Sequence, residues 1–220
     1  MSETKRNLWP LWAVLAVTIA PVIASYVMYY GVKPEGRTNY GDFVEPQVTV
    51  TTLPVSTVVQ PKAESAFVAV QADSRTQRPL TQLGDWNGRW LMVRMGPAQC
   101  SEACKHELWL MRQIRLTTGR ERDRVERLWI LTDRSGKPDP ALLAEHEGLW
   151  VVRLGDTEVK DPLIANWLSV ARQSAVQNQG ASNIWLVDPL GNLMMRFPDN
   201  PDPNGMKKDL NKLLKASRIG

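Results

Sequence analysis

Hydrophobic and charged residues divide this chain into three stretches of different character. Between Arg6 and Lys33 there is no charge, and residues 8–30 are long and apolar enough to cross the roughly 30 Å hydrocarbon layer of a membrane as one helix. Residues 31–79 are rich in Pro, Thr, Val and Gln, which predicts an extended linker. Residues 80–217 alternate short apolar runs with amphipathic stretches, which predicts one compact domain with its own core.

The ends of the apolar stretch carry the features of a membrane-spanning helix. Aromatic residues stand near both ends, where such a helix meets the two interfaces: Trp9, Trp12, Tyr26, Tyr29 and Tyr30. Because Lys5 and Arg6 favour the cytoplasmic side, we expect residues 1–7 in the cytoplasm of a single-pass protein of the bacterial inner membrane, with a periplasmic C-terminal domain. The alternative is a signal peptide cleaved near Ala24, but the apolar run continues past that residue.

Local periodicity predicts the elements of the remaining chain. Short strands are expected in the linker at residues 47–52 and 66–70. In the domain the pattern predicts strands at 90–95, 125–132, 149–154, 184–188 and 193–197, and helices at 101–118, 140–147, 162–173 and 205–216. This alternating order, ending in a hairpin, predicts an α/β sandwich with helices on both sides of a mixed sheet.

The two cysteines, Cys100 and Cys104, lie where the first strand of the domain is followed by its first helix. If both cysteines lie in the first helical turn, their i, i+4 spacing places both sulfurs on one face, and a helix N-terminus favours the thiolate. A thiolate is the nucleophile of disulfide exchange and a ligand for soft metals such as Cu(I). The pair indicates redox chemistry or copper binding. The third interpretation is a structural disulfide or two buried thiols, although a disulfide across so short a loop removes little chain entropy.

The position of this pair also predicts the type of α/β fold. Cysteines at the exit of the first strand, opening the first helix of a βαβ unit, are the arrangement of a thioredoxin-like α/β sandwich, here with one N-terminal transmembrane helix. In such sheets the site lies beyond the carboxyl ends of the strands. We find no nucleotide-binding loop, no Ser-His-Asp set and no zinc-binding spacing.

Charge adds one further candidate surface. The net charge of +4 is mild, but arginines are concentrated around the end of the first domain helix: Arg112, Arg115, Arg120, Arg122, Arg124 and Arg127. We expect a solvated face, with docking to an acidic partner or to lipid headgroups as the alternative. Nucleic acid is not expected as a partner of an exported domain.

Over residues 82–214 the sequence resembles the Sco/SenC family. The resemblance rests on Cys100 and Cys104 together with residues 110–114, 130–133 and 184–191. Members of that family are membrane-anchored, thioredoxin-like factors that help assemble the dinuclear copper centre of cytochrome c oxidase. Residues 33–40 are similar to a segment of small transmembrane proteins associated with bacterial oxidase assembly. The resemblance implies a role in the respiratory chain.

The chain departs from the family where copper would be held. Ser101 and Lys105 follow the cysteines where the family usually has proline, and Gly180 stands where the family has a copper-ligating histidine. The neighbouring Asn178 and Gln179 are not histidine either, so the third ligand is absent.

Other residues offer weaker ligand candidates. The two histidines, His106 and His146, are expected in ordinary surface or capping roles. Met92 or Met95 could add a soft ligand, although strand methionines usually belong to the core. The seven tryptophans outside the apolar stretch are expected in the core or at its rim.

Three functions follow from these observations. In the first, the chain is a thiol–disulfide oxidoreductase that reduces a disulfide in an oxidase subunit or a periplasmic copper chaperone. Cys100 then attacks and Cys104 resolves the mixed disulfide. In the second, the same cysteines carry Cu(I) and the partner donates a further ligand. In the third, the chain is a non-catalytic assembly scaffold.

Overall fold

The apolar stretch near the N-terminus forms one continuous helix, α1 (Trp9–Tyr30), of 22 residues. Its side chains are apolar on all sides and none of them is buried. In the part of the chain that the structure describes, this is the one helix long and apolar enough to cross a membrane. At 1.5 Å per residue it is roughly 33 Å long, which matches the hydrocarbon thickness of a bilayer.

The computed structural model describes residues 8–31, 39–61, 80–155, 159–177, 183–217 and 219. The chain divides into two units, Met1–Thr38 and Asn39–Gly220. The second unit contains, in chain order, β1 (Asp42–Thr49), β2 (Val55–Val59), β3 (Trp90–Gly96), α2 (Glu102–Thr117), β4 (Val125–Leu131), α3 (Pro140–Glu145), β5 (Leu149–Leu154), α4 (Pro162–Gln177), β6 (Ile184–Val187), β7 (Asn192–Arg196) and α5 (Pro203–Ala216). Every strand and helix predicted from residue 90 onward is confirmed, with ends that differ by at most four residues.

The seven strands form one mixed sheet in the order β1-β7-β6-β3-β4-β5-β2. The pairs β3–β4 and β4–β5 are parallel, and all other neighbours are antiparallel. Gly96 of β3 is level with Leu131 of β4, which is level with Arg153 of β5. The carboxyl ends of the three parallel strands therefore meet at one edge of the sheet.

The two outermost strands come from the stretch that the sequence assigned to the linker. Where residues 31–79 are described, they form β1 and β2, which pair with β7 and β5. The predicted strand at 47–52 is found at Asp42–Thr49, and the one at 66–70 lies outside the described residues. Most side chains of β1 are exposed and Pro46 lies within it, as an edge strand permits. The apolar pattern that marks a strand is therefore weak there.

The start of β1 is held against α5 by one carboxylate. Asp209 of α5 is buried, and its Oδ2 accepts the backbone N–H groups of Tyr40 at 2.7 Å and Gly41 at 2.8 Å. The Tyr40 hydroxyl in turn accepts the N–H of Asp202 at 2.7 Å. These contacts fasten an edge strand that buries little apolar surface of its own.

The sheet separates two cores. In β4, Leu128 and Ile130 point to one core, while Trp129 and Leu131 point to the other, as the two-residue period of a strand requires. The first core is completed by residues of α4: Ile164, Trp167, Leu168 and Ala171. The second is completed by residues of α2 and α5: Cys104, Leu108, Met111, Ile114, Met206, Leu210 and Leu214. The predicted buried face of α2 and the α/β sandwich are both confirmed.

Candidate functional site

The cysteine pair lies at the junction between β3 and α2. Ser101 is the N-cap of α2, and its side chain accepts the backbone N–H of Cys104 at 3.4 Å. Cys104 therefore belongs to the first helical turn, and Cys100 immediately precedes the cap. The two sulfurs form a disulfide, with the Cα atoms 5.3 Å apart. The sulfurs stand at a helix N-terminus, where unpaired N–H groups favour a thiolate.

The two cysteines differ in their accessibility. Cys104 is 2% exposed and packs in the same core cluster as Leu108 and Met111. Cys100 is half-buried at the margin of that cluster. A molecule approaching from solvent therefore reaches Cys100 before Cys104. This asymmetry fits a pair in which one sulfur exchanges with a partner and the other is protected.

The loop that carries Cys100 is braced by the loop after β4. Asp133 Oδ1 accepts the N–H of Ala98 at 3.3 Å, and Thr132 donates its N–H to the carbonyl of Gly96 at 3.1 Å. Gly136 passes so close to Asp133 and Ala98 that a methyl group there would collide with both. Arg153 of β5 donates its Nε to the Asp133 carbonyl at 2.9 Å. The carboxyl ends of all three parallel strands thus fix the cysteine loop.

A buried ion pair lies beneath the same loop. Arg94 of β3 donates its Nε to Glu107 Oε2 at 2.9 Å, and Glu107 Oε1 accepts the N–H of Asn183 at 2.8 Å. The guanidinium group lies over the Trp129 ring, with 5.7 Å from Cζ to the ring centroid. It fills the space that a side chain at Gly96 would need. Burial lowers the pKa of Arg94 from its ordinary value, and the Glu107 carboxylate partly offsets that effect.

Glu107 therefore connects the helix of the cysteines to β3 and to the start of β6. It stands three residues after Cys104, on the neighbouring part of the same helix. The sequence reasoning missed both charged residues. The available signal was Arg94 itself, a cation inside the fully buried strand Trp90–Gly96, because a buried charge requires a partner.

The remaining predicted ligand candidates are the exposed His106, the two strand methionines and the segment around position 180. His106 is exposed, as expected, and stacks on Trp109. Met92 and Met95 are buried on opposite faces of the sheet. Position 180 and its neighbours 178 and 179 are not among the described residues. Within the described ranges, no group of three or more His, Cys, Asp or Glu side chains converges as a metal-binding set.

His146 has the capping role that was one of its two expected roles, because it follows α3 as its C-cap. It is buried, however, and its Nδ1 has no hydrogen-bond partner among the described residues. Burial, followed by the positive charges of Arg127 and Arg112, lowers the pKa of His146 below its ordinary value.

The arginine cluster of the sequence does not form one surface. Three members are structural. Arg115 and Arg127 are buried and donate to the carbonyls of Val125 and Glu147. Arg124 donates to the carbonyls of Leu214 and Ser217. Three are exposed: Arg112, Arg120 and Arg122. The expected solvated face is therefore confirmed for half of the cluster.

Solved structures similar to this chain include two Sco proteins and one thiol-disulfide oxidoreductase. Yeast Sco1 with copper bound is 16% identical, with a TM-score of 0.48, and the match covers 83% of this chain and 96% of that one. Bradyrhizobium japonicum ScoI with copper bound is 14% identical, with a TM-score of 0.46, covering 75% and 99%. The thioredoxin domain of the oxidoreductase from Bacteroides vulgatus is 18% identical, with a TM-score of 0.43, covering 76% and 98%.

The family comparison matches the part of the chain that holds the cysteine pair. The comparison with curated proteins gave no match. One family model, described as a transmembrane-like, thioredoxin-like C-terminal domain, matches residues 90–217, which is more than half of the chain. These residues run from the first strand of the predicted domain to the end of α5, so the thioredoxin-like fold predicted from the cysteine position is confirmed. The chain belongs to the family of transmembrane-like proteins with a thioredoxin-like C-terminal domain.

Proposed function

We propose that this chain is a membrane-anchored thiol–disulfide reductant that serves the assembly of cytochrome c oxidase and acts through Cys100 and Cys104. The observation that carries the proposal is the pair itself, with Cys100 half-buried and Cys104 buried, at a helix N-terminus in a thioredoxin-like fold. The oxidase is inferred from the sequence motifs shared with the Sco/SenC family.

The proposed reaction passes two electrons from the dithiol to a partner disulfide. The Cys100 thiolate attacks one sulfur of the partner, so that a mixed disulfide forms and the other partner sulfur leaves as a thiolate. The Cys104 thiolate then attacks the Cys100 sulfur, which releases the second partner thiolate and leaves the Cys100–Cys104 disulfide. An external dithiol must reduce that disulfide before the next cycle. The accessibility of the two cysteines supports this order of attack.

The membrane location forms part of the proposal. The helix Trp9–Tyr30 supplies a single-pass anchor, and Lys5 and Arg6 support an orientation with the N-terminus in the cytoplasm. The thioredoxin-like domain then lies in the periplasm of a bacterium. An oxidising compartment converts a free dithiol to a disulfide, so reversible chemistry there requires a supply of electrons.

Carriage of Cu(I) is the competing use of the same sulfurs. When the disulfide is reduced, the two thiolates could bind Cu(I) as cargo, because soft sulfur ligands select that ion. The sequence argues for the reductant, since Gly180 replaces the histidine that the Sco/SenC pattern would provide.

Two measurements on the same protein preparation distinguish the reductant from the copper carrier. The full chain in nonionic detergent, reduced and anaerobic, is titrated with Cu(I) against a competing chelator and equilibrated with dithiol redox buffers. A reductant shows a defined dithiol/disulfide potential and reduces a small disulfide, and both properties disappear in the Cys100→Ser, Cys104→Ser double variant. Tight one-to-one Cu(I) binding that vanishes in the same variant would replace the reductant by a copper carrier.

The scaffold interpretation is tested in cells that produce the variant chain. If the double variant assembles cytochrome c oxidase as well as the unaltered chain does, the cysteines are not required and the proposed function is wrong. A matched control is Ser101→Thr, which keeps a hydroxyl N-cap and both sulfurs.

A further inference from the structure

The outward face of α2 carries an apolar stripe next to the cysteine pair. Trp109 is 46% exposed and Leu116 is 47% exposed. They are seven residues apart, close to two helical turns, so both point to the same side of the helix. Among the tryptophans described in residues 80–217, the other six are buried. An exposed tryptophan beside a reactive pair is the unusual feature of this surface.

The indole of Trp109 is held in place by its neighbour on the helix. The ring of His106 stacks on it, with 5.8 Å between centroids and 17° between planes. A side chain that is already ordered loses less entropy when a partner covers it. Tryptophan is also enriched among the residues that dominate binding at protein interfaces.

Side chains of both signs lie around the stripe, and the exposed arginines among them are unpaired within the described residues. Three exposed arginines have no ion pair among the described residues: Arg112, Arg120 and Arg122. The two glutamates of the region are already neutralised, because Glu102 pairs with Lys105 at 2.7 Å and Glu121 pairs with Arg124 at 2.5 Å. Asp123 is a further exposed acidic residue, and the carboxylates of Asp139 and Glu145 lie within electrostatic range of Lys105. Arg112, the one charged residue between Trp109 and Leu116 that projects from this face, favours a partner that presents a carboxylate.

The stripe is within reach of a protein bound at the disulfide. At 1.5 Å per residue, Trp109 lies roughly 7.5 Å and Leu116 roughly 18 Å along the helix axis from Cys104. A standard interface covers about 800 Å² on each partner, so one protein can contact Cys100 and the whole stripe.

We infer that this face of α2, formed by His106, Trp109, Arg112 and Leu116, is the docking surface for the protein whose disulfide the cysteine pair reduces. The inference rests on the proposed function and adds the chemistry of the partner. That partner carries an acidic segment with an apolar side chain close to its disulfide. The apolar group covers Trp109 and Leu116, and the carboxylates pair with the arginines.

The test compares three disulfide substrates with the full reduced chain in nonionic detergent. Hydroxyethyl disulfide is small and neutral. Two synthetic peptides each contain one intramolecular disulfide and one leucine. They differ only in the residues around the disulfide, which are aspartates in one peptide and lysines in the other. We expect the acidic peptide to be reduced faster than the lysine peptide, with a difference that shrinks as salt is added.

The variants locate the effect on α2. Trp109→Ala is expected to lower the rate with the acidic peptide about tenfold or more and to leave the rate with hydroxyethyl disulfide unchanged. Arg112→Glu should reverse the preference between the two peptides. Leu163→Ala is the matched control, because Leu163 is an exposed apolar residue of α4, which packs on the opposite face of the sheet.

The outcomes separate this inference from the proposed function. If the chain reduces hydroxyethyl disulfide but reduces both peptides at the same rate, the docking surface is overturned and the proposed reductant function is not. The same conclusion follows if Trp109→Ala leaves the rate with the acidic peptide unchanged. If no disulfide is reduced, both fail together. Trp9 and Trp12 of α1 are quenched by brominated lipid in every variant. If the quenching by brominated anionic lipid in nanodiscs is smaller in Trp109→Phe than in the unaltered chain, and there is no peptide preference, the face is assigned to lipid headgroups and the inference is overturned.

Discussion

Removal of the charge on Glu107 is expected to destabilise the domain strongly. The Glu107→Gln variant leaves the cation of Arg94, which is 5% exposed, without its counter-charge. Removing one partner of a buried ion pair lowers the free energy of unfolding by about 3–5 kcal/mol. The glutamine oxygen can still accept the N–H of Asn183, so we expect the lower end, about 3 kcal/mol. For a unit of this size that corresponds to a fall in melting temperature of about 6–12 °C.

The assay is urea unfolding of the full chain in nonionic detergent, followed by tryptophan fluorescence. The double variant Arg94→Met, Glu107→Gln removes both charges and keeps an acceptor for Asn183. It should therefore be more stable than either single variant by at least about 1 kcal/mol. Glu102→Gln is the control, because the pair of Glu102 with Lys105 is exposed to solvent and should contribute little to stability.

Two results would refute this reasoning. One is a loss in Glu107→Gln no larger than the loss in Glu102→Gln. The other is a double variant whose loss equals the sum of the two single losses, because independent residues add and an ion pair does not.

Three further predictions concern the loop, the buried histidine and the edge strand. Gly136→Ala places the added methyl group against Asp133, so the free energy of unfolding, measured by thermal unfolding, should fall by about 1–3 kcal/mol. An unchanged free energy would show that the loop rearranges without cost. Since the pKa of His146 is lowered in the folded state, the unfolded chain binds a proton first as the pH falls, and stability should decrease from about pH 8 down through the ordinary histidine pKa of about 6.5. His146→Gln should flatten that slope in denaturation curves measured across this pH range, and an unaltered slope would assign the effect to another group. Asp209→Ala removes the acceptor of two backbone N–H groups and should speed amide hydrogen exchange at Tyr40 and Gly41, whereas unaltered exchange would mean that β1 is held by its pairing with β7 alone.

The elements of the domain were predictable because each depends on a local pattern. The buried face of α2, from Cys104 to Ile114, follows from the helical period, and the strand Val125–Leu131 follows from a continuous apolar run. The position of the cysteines between β3 and α2 was predicted from the same local pattern of strand and helix. The membrane-spanning length of α1 needed only the count of uncharged residues.

The sequence alone determined the order of helices and strands, the apolar N-terminal helix and the position of the cysteine pair, because neighbouring residues set these features. Only the tertiary structure decided that β1 and β2 extend the sheet, since edge strands bury few side chains and depend on partners far along the chain. It also decided which cysteine is shielded and which arginines are structural. The ion pair between Arg94 and Glu107 joins a strand to a helix and reaches Asn183 at the start of β6. No local period encodes a contact that exists only once the helix has packed on the sheet.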